Sequence, residues 1–392
     1  MQKVENKRIL FIDYCNYEDY QIGGHLSWAK NMLSAFSDDL ALVGITTERN
    51  EPCGKWYLKT IKGTSYDYFA LRRYNKSRTK HFIPDRLECF FLLRFYKSKI
   101  LEINIQNVFI QRHEILPAVI NFGFRNICYR FPGLESPLEI SKYWFGKYFA
   151  EKFDILFFKC LRNVTTVLAS GDEDAIADMV KRSNGIISGN SVIKFPTRIN
   201  TDIYKPQDKN TARAMLNLPE NKTIFVTTGR LASLKGWKFM VDCFERYLME
   251  VKDSILYFVG EGEDHEKIIE YIRIRNLDDQ VILAGERSQH EISLFLNASD
   301  LFIMGSYKEG WSTSLSEAIA CGIPACVTNF SSAKEIIEQG VTGYVVEDHD
   351  IDKFIQAMLK SIIIPRPVNN EKVKAYSTGR LREDILNYWR LI

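Results

Sequence analysis

Short apolar runs, each closed by glycine or a polar residue, recur along the chain and alternate with stretches of helical period. Segments 8–15 (RILFIDYC), 40–46 (LALVGIT), 108–110, 126–129 and 165–169 have the bounded apolarity of buried parallel strands. Leu26, Ala29, Met32, Leu33 and Phe36 share one face of a helix that follows Gly23-Gly24, and 172–180 predicts a shorter helix. The rhythm restarts after residue 200. Segments 223–228, 255–259, 281–284, 301–304 and 324–328 read as five strands ending at Gly or a small polar residue, with an amphipathic helix over 239–251. Strand and helix in alternation predict an α/β fold of two doubly wound parallel sheets, with ligands outside the carboxyl ends of the strands. The stretch 194–206 (KFPTRINTDIYKP), with two prolines and few apolar residues, divides the two.

Length agrees with two or three domains in 392 residues. Apolar residues at 46% and charged residues at 26% exclude wholesale disorder. The net charge is only +3, but residues 1–200 carry 29 basic against 21 acidic side chains and residues 201–392 carry 23 against 28. The excess sits in 59–99, where 11 basic and 3 acidic residues are interleaved with aromatics. This segment reads either as a solvated helical face over a buried aromatic stripe or as a surface for an anionic membrane or acceptor. No nucleic-acid module accompanies it, and nucleic acid is not an expected partner. The apolar run Ile9–Ile12 meets Asp13, too short for a secretory signal, and no stretch approaches the roughly 18–20 apolar residues of a bilayer span. The expectation is a cytoplasmic protein, peripheral on the membrane face at most. The eight cysteines form no C-x-x-C pair and have no His cluster beside them, which predicts reduced thiols and no metal site.

Segment 306–322 (SYKEGWSTSLSEAIACG) is the most informative chemically. Glu309 and Glu317 frame Trp311, Ser312, Thr313 and Ser314, which open a helix over 312–320. The free N–H groups and positive dipole end of its first turn suit a phosphate. At the end of 223–228, Gly229-Arg230-Leu231 is followed by Ser233-Leu234-Lys235-Gly236-Trp237, so two cations lie at a strand's carboxyl end. There a planar fork and a point charge together neutralise a leaving diphosphate. Taken singly, each cation reads as readily as a surface ion pair.

The order of these pieces resembles the retaining nucleotide-sugar glycosyltransferases of the GT-B fold, glycosyltransferase family 4 (glycosyl transferases group 1). The collinear motifs are Gly229-Arg230-Leu231 with Lys235-Gly236, the turn Val259–Gly262, the turn Leu283-Ala284-Gly285, the E-x7-E pair Glu309 and Glu317, and the trailing Glu335–Gly343. They cover 196–392; over 1–195 the resemblance rests on the first strand with Gly23-Gly24 and the α/β rhythm. It implies two Rossmann-like domains facing across a cleft: 1–195 plus the C-terminal helix 377–392 on the acceptor side, and 196–376 binding the donor. It implies further that Arg230 and Lys235 stabilise the departing diphosphate and that Glu309 holds hydroxyls of the donor sugar. Glu317 binds the ribose, and the backbone around Trp311–Ser314 caps the phosphates. Gly23 and Gly24 cover the diphosphate, and the base lies near Gly285 and Arg287. No cofactor or metal is required; UDP- or GDP-sugar is the donor substrate.

Departures from the family pattern fall where the acceptor is read. The usual Asn-Gly-Val-Asp linker is Thr197-Arg198-Ile199-Asn200, without glycine, and the histidine expected after an N-domain strand is replaced by Arg130, with His113 after the preceding strand. Both are candidates for the acceptor side, or a structural His and Arg. The implied function is transfer of a hexose-type sugar to a saccharide or lipid-linked acceptor, in bacterial surface polysaccharide synthesis. A nucleotide-sugar 2-epimerase and an inactive membrane-bound scaffold are the competing readings.

Overall fold

The computed structural model describes residues 8–20, 24–75, 84–134, 136, 138, 144–369 and 371–391. Gly23 and the middle of the basic segment, 76–83, lie outside the described residues. The chain divides into two compact units, Met1–Pro196 with Leu381–Ile392, and Thr197–Arg380.

The first unit is built on β1 (Ile9–Ile12), β2 (Leu40–Thr46), β3 (Trp56–Ile61), β4 (Thr64–Arg73), β5 (Asn107–Ile110), β6 (Asn126–Phe131), β7 (Thr166–Ala169) and β8 (Val192–Lys194), in the order β3-β4-β2-β1-β5-β6-β7-β8. Every pair is parallel except β3–β4, so the expected all-parallel sheet gains an antiparallel edge. Strands β1, β2 and β5 are buried along their whole length, the mark of a sheet covered on both faces. The C-terminal helix Leu381–Trp389 inserts Leu381, Ile385 and Trp389 into this unit's core, with Trp389 6.3 Å from Phe109 between ring centroids. Arg382 on the same helix bonds Asp39.

The helical reading of 59–99 needs correction: its first half is a hairpin. Ile61 pairs with Thr64 across Lys62-Gly63, whose φ values of +46° and +84° give the two-residue mirror-image turn that suits twisted strands. Lys59 is buried on this hairpin between Glu51 (3.0 Å) and Glu18 (2.9 Å). Only the second half is helical, as Asp85–Phe95 and Lys97–Leu101.

The second unit comprises β9 (Thr223–Thr228), β10 (Ser254–Val259), β11 (Val281–Gly285), β12 (Leu301–Met304), β13 (Ala325–Thr328) and β14 (Gly343–Val346), all parallel, ordered β11-β10-β9-β12-β13-β14. Strand order reverses between β9 and β12, and a crevice opens beyond the carboxyl ends of strands at such a switch point. The glycine-free stretch at 197–200 turns by another device: the Asn200 side chain accepts from the Asp202 N–H (3.0 Å). Ile199 bonds Tyr376 and Thr378 through its N–H and carbonyl (3.0 and 2.8 Å), which keeps 377–380 in this unit before the last helix joins the other.

Candidate functional site

Two loops meet at the β9/β12 switch point. After β9 the chain turns at Gly229, with φ +131°, and its N–H donates to the Val259 carbonyl (3.0 Å). The Leu231 N–H donates to Glu261 O, and the Asp264 N–H to Leu231 O, both at 3.0 Å, sewing 229–231 onto the turn after β10. One turn of 3₁₀ helix, Ser233–Lys235, ends at Gly236 (φ +68°), where any Cβ would overlap the Gly305 carbonyl oxygen. Glycine there lets the loops after β9 and β12 touch, and the Tyr307 N–H donates to Leu234 O at 3.0 Å.

That closure places Lys235 Nζ 2.5 Å from Glu309 Oε1, which also accepts from Ser306 Oγ at 2.8 Å. Arg230 projects into solvent, 3.9 Å from Glu263. Thr228, Gly229, Arg230, Lys235, Trp237 and Met304 line a pocket here. No sequence motif marks Asp264, whose buried carboxylate accepts from the Ser233 hydroxyl and Trp237 Nε1 (3.0 Å) and pairs with Lys267 (2.6 Å). Lys267 and those two donors hold its carboxyl down at about 2. It therefore grips both sides of the turn that carries Lys235; the only sequence trace of this is an acid closing Glu261-Gly262-Glu263-Asp264.

The expected helix after Glu309 spans Thr313–Ala320. Ser312 caps it, accepting from the Leu315 N–H (3.3 Å), while its own N–H donates to Ser332 Oγ (3.2 Å). Trp311 turns inward, with Nε1 on Ser316 Oγ (3.2 Å) and its ring 5.4 Å from Tyr376. Trp311 and Ser312 thus shape the turn, whereas the first-turn N–H groups of Thr313 and Ser314 have no helical acceptor and suit an anion. Glu317 lies one turn on, beside the Tyr204 hydroxyl; burial pushes its carboxyl up to about 8. Gly285 ends β11 two strands from β9, and Arg287 beyond it lies 3.5 Å from Glu291.

In the first unit, Gly24 starts the helix Gly24–Phe36. His113 sits in an aromatic cage, 4.9 Å from Phe157 and 5.6 Å from Phe131, and burial lowers its pKa to about 3. Arg130 stacks its guanidinium 3.7 Å from the Trp28 ring centroid and donates to Ser170 Oγ (2.9 Å). Both are buried, and both make the packing contacts of structural residues. No motif or spacing marks a more polar cluster nearby. At the β1/β5 switch point, the fully buried Asp13 is held by Arg112 and Gln111, and Gln111 Nε2 also donates to His25 O (3.0 Å). Gln111 Oε1 and His25 Nδ1 have no hydrogen-bond partner among the described residues. All eight cysteines are free thiols, and among the described residues no His, Cys, Asp and Glu side chains group as metal ligands.

The model of the family glycosyl transferases group 1 matches residues 208–378, nearly all of the second unit. That unit is similar to glycosyl transferases group 1. Among curated proteins, the chain is 28% identical over 211 residues to the UDP-Gal:alpha-D-GlcNAc-diphosphoundecaprenol alpha-1,3-galactosyltransferase of Escherichia coli, covering 53% of this chain and 50% of that one. It is 34% identical over 153 residues to the poly(glycerol-phosphate) alpha-glucosyltransferase of Bacillus subtilis, covering 39% and 22%. The chain therefore spans half or less of the length of these two relatives. By structure it resembles sucrose-phosphate synthase from Thermosynechococcus elongatus, with a TM-score of 0.74 at 16% identity over 98% of both chains. The HepE protein of Anabaena, solved with UDP, gives 0.73 at 15% identity over 98% of this chain and 100% of that one. The fold is GT-B, with two Rossmann-like units.

Proposed function

We propose that the protein is a retaining glycosyltransferase that moves a hexose-type sugar from a nucleotide-diphosphate donor to a saccharide or lipid-linked acceptor. The observation that carries this reading is the Lys235–Glu309 pair beside Gly229-Arg230 at the β9/β12 switch point. In this reading Lys235 and Arg230 face the donor diphosphate, Glu309 accepts from sugar hydroxyls, and Glu317 binds the ribose. The N–H groups of Thr313 and Ser314 receive phosphate oxygens. Gly285 and Arg287 border the base. The bond from the anomeric carbon to the diphosphate oxygen breaks as the acceptor hydroxyl oxygen bonds that carbon on the same face. The hydroxyl proton passes to the departing diphosphate. Arg230, Lys235 and the helix end supply the positive charge without a metal.

The donor site lies in the second unit, and acceptor recognition is assigned to the first, around the polar cluster of Asp13, Gln111, Arg112 and His25. A diphosphoundecaprenol-linked acceptor, named for the Escherichia coli relative, and the glycerol-phosphate polymer named for the Bacillus subtilis one favour a role in bacterial surface polysaccharide synthesis. The site of action would be cytoplasmic, at the membrane face. The test is a panel of UDP- and GDP-sugars scored for slow donor hydrolysis and for thermal stabilisation by UDP or GDP. Turnover of one donor with retained anomeric configuration supports the reading; neither turnover nor stabilisation with any donor overturns it.

A further inference from the structure

The helix Asp85–Phe95 divides its charges sharply by face. Its acids serve the protein interior: Glu88 is buried and bonded to Arg72 and the Tyr14 and Tyr74 hydroxyls, and Asp85 is half-buried. The opposite face is exposed and holds Arg86, Leu87, Phe91, Arg94 and Phe95, with no acid among them. Leu87, Phe91 and Phe95 recur at i, i+4 and i+8, so they form one line along the helix. Their exposures of 48, 63 and 77% show that this apolar line is not covered by the fold. Lys97 and Lys99 extend the basic margin on the next turn and are exposed as well. The edge strand β3 adds Leu58, 74% exposed, on the same side of its strand as Trp56, whose Nε1 donates to Lys99 O (2.8 Å).

Aromatic side chains flanked by arginine and lysine match the chemistry of a bilayer with an anionic surface. The rings enter the boundary between headgroups and acyl chains, and the cations remain at the phosphates. We propose that this exposed face of Asp85–Phe95, continued through Lys97 and Lys99, docks the first unit on an anionic lipid surface. The proposal gives the membrane association in the functional reading a defined surface, yet it uses no residue of the donor site.

Co-sedimentation of the full chain with vesicles tests it, comparing phosphatidylglycerol-rich with pure phosphatidylcholine vesicles at low and high salt. The expected result is binding to the anionic vesicles that weakens with salt. Arg94→Glu should weaken it by roughly fivefold or more per unit of charge changed. Phe91→Ser with Phe95→Ser should weaken it on the order of tenfold. Each variant should keep the wild-type melting temperature and UDP stabilisation, which separates failure of docking from failure of the fold or of the glycosyltransferase reading. Equal binding to neutral vesicles, no binding by the wild type, or unchanged binding by both variants overturns the proposal. So does a dimer that Phe91→Ser with Phe95→Ser dissociates while vesicle binding persists, because the face would then belong to a second copy.

Discussion

Lys235 Nζ and Glu309 Oε1 lie 2.5 Å apart, joining the loop after β9 to the loop after β12 across the switch point. Neither loop reaches this position alone. Gly236 lets the backbones touch, Asp264 fastens the first loop from below, and Ser306 orients the carboxylate in the second. The pair holds a cation and an acceptor in fixed relation, the preorganisation that the proposed function requires for charge developing on a leaving group.

Lys235→Ala should therefore reduce turnover by about a hundredfold to a thousandfold, the scale seen when one preorganised electrostatic group is lost. The lysine is part-exposed, so stability should change by about 1 kcal/mol or less. Transfer kinetics beside thermal unfolding checks both. Near-wild-type turnover would show that the diphosphate lies elsewhere.

Asp264 acts through that loop. Asp264→Asn keeps the shape but removes the charge that pairs with Lys267, and it should lower turnover more than it weakens nucleotide binding. The pH dependence has a defined sign. The folded pKa of about 2 lies below the ordinary aspartate value of about 3.9, so the stabilisation is complete above that ordinary value and is lost as pH falls toward 2. Acid unfolding followed by circular dichroism should show a smaller loss between pH 4 and 2 in the Asn variant. Identical acid profiles would remove Asp264 from this role.

Glu317 should show the opposite slope. Its folded pKa of about 8 exceeds the ordinary glutamate value near 4.3, so the folded chain holds the proton more tightly and its stability falls as pH rises through that interval. Glu317→Gln should flatten melting temperature against pH between 5 and 8 and weaken UDP binding, as isothermal titration would report. A flattened profile with unchanged UDP affinity would leave Glu317 structural and move the ribose elsewhere.

Most of the second unit was legible because its signals are local. Four of the six strands of the second unit end at or just before a glycine, Arg230 and Lys235 lie in the loop after β9, Glu309 lies in the loop after β12, and Glu317 lies on the helix that follows that loop. Asp264 was not legible, since its importance comes from Ser233 and Trp237 folding back about thirty residues upstream in sequence. The hairpin β3–β4 is obscured in the sequence by its basic composition, and β4 carries no clean alternation, since Phe69 and Leu71 are buried beside Tyr66, Tyr68 and Ala70. The cluster around Asp13 depends on β1 and β5 becoming neighbours, a pairing across about a hundred residues that no spacing encodes.

If positive side chains and a helix end carry the charge of the leaving group, chelation should not matter. Transfer measured with excess EDTA should match transfer with added Mg²⁺ or Mn²⁺ within about twofold, since Lys235, held on Glu309, and the helix end are preorganised donors. Loss of activity on chelation, restored by one metal, would require a cation bound with the donor.

The C-terminal helix gives a separate stability test. Leu381, Ile385 and Trp389 are buried in the core of the first unit beside Phe109, while the preceding strand-like contact of Ile199 with 376–378 belongs to the second. Deleting 381–392 exposes those core partners and should cost the first unit on the order of 5 kcal/mol or more, by analogy with the loss of several large buried side chains. The milder Leu381→Ala with Ile385→Ala should act in the same direction. Limited proteolysis should then cleave within 8–196 while a fragment spanning 197–380 survives and is still protected by UDP. Equal protease sensitivity of both halves, or loss of UDP protection alone, would place the helix's stabilising contacts in the second unit instead.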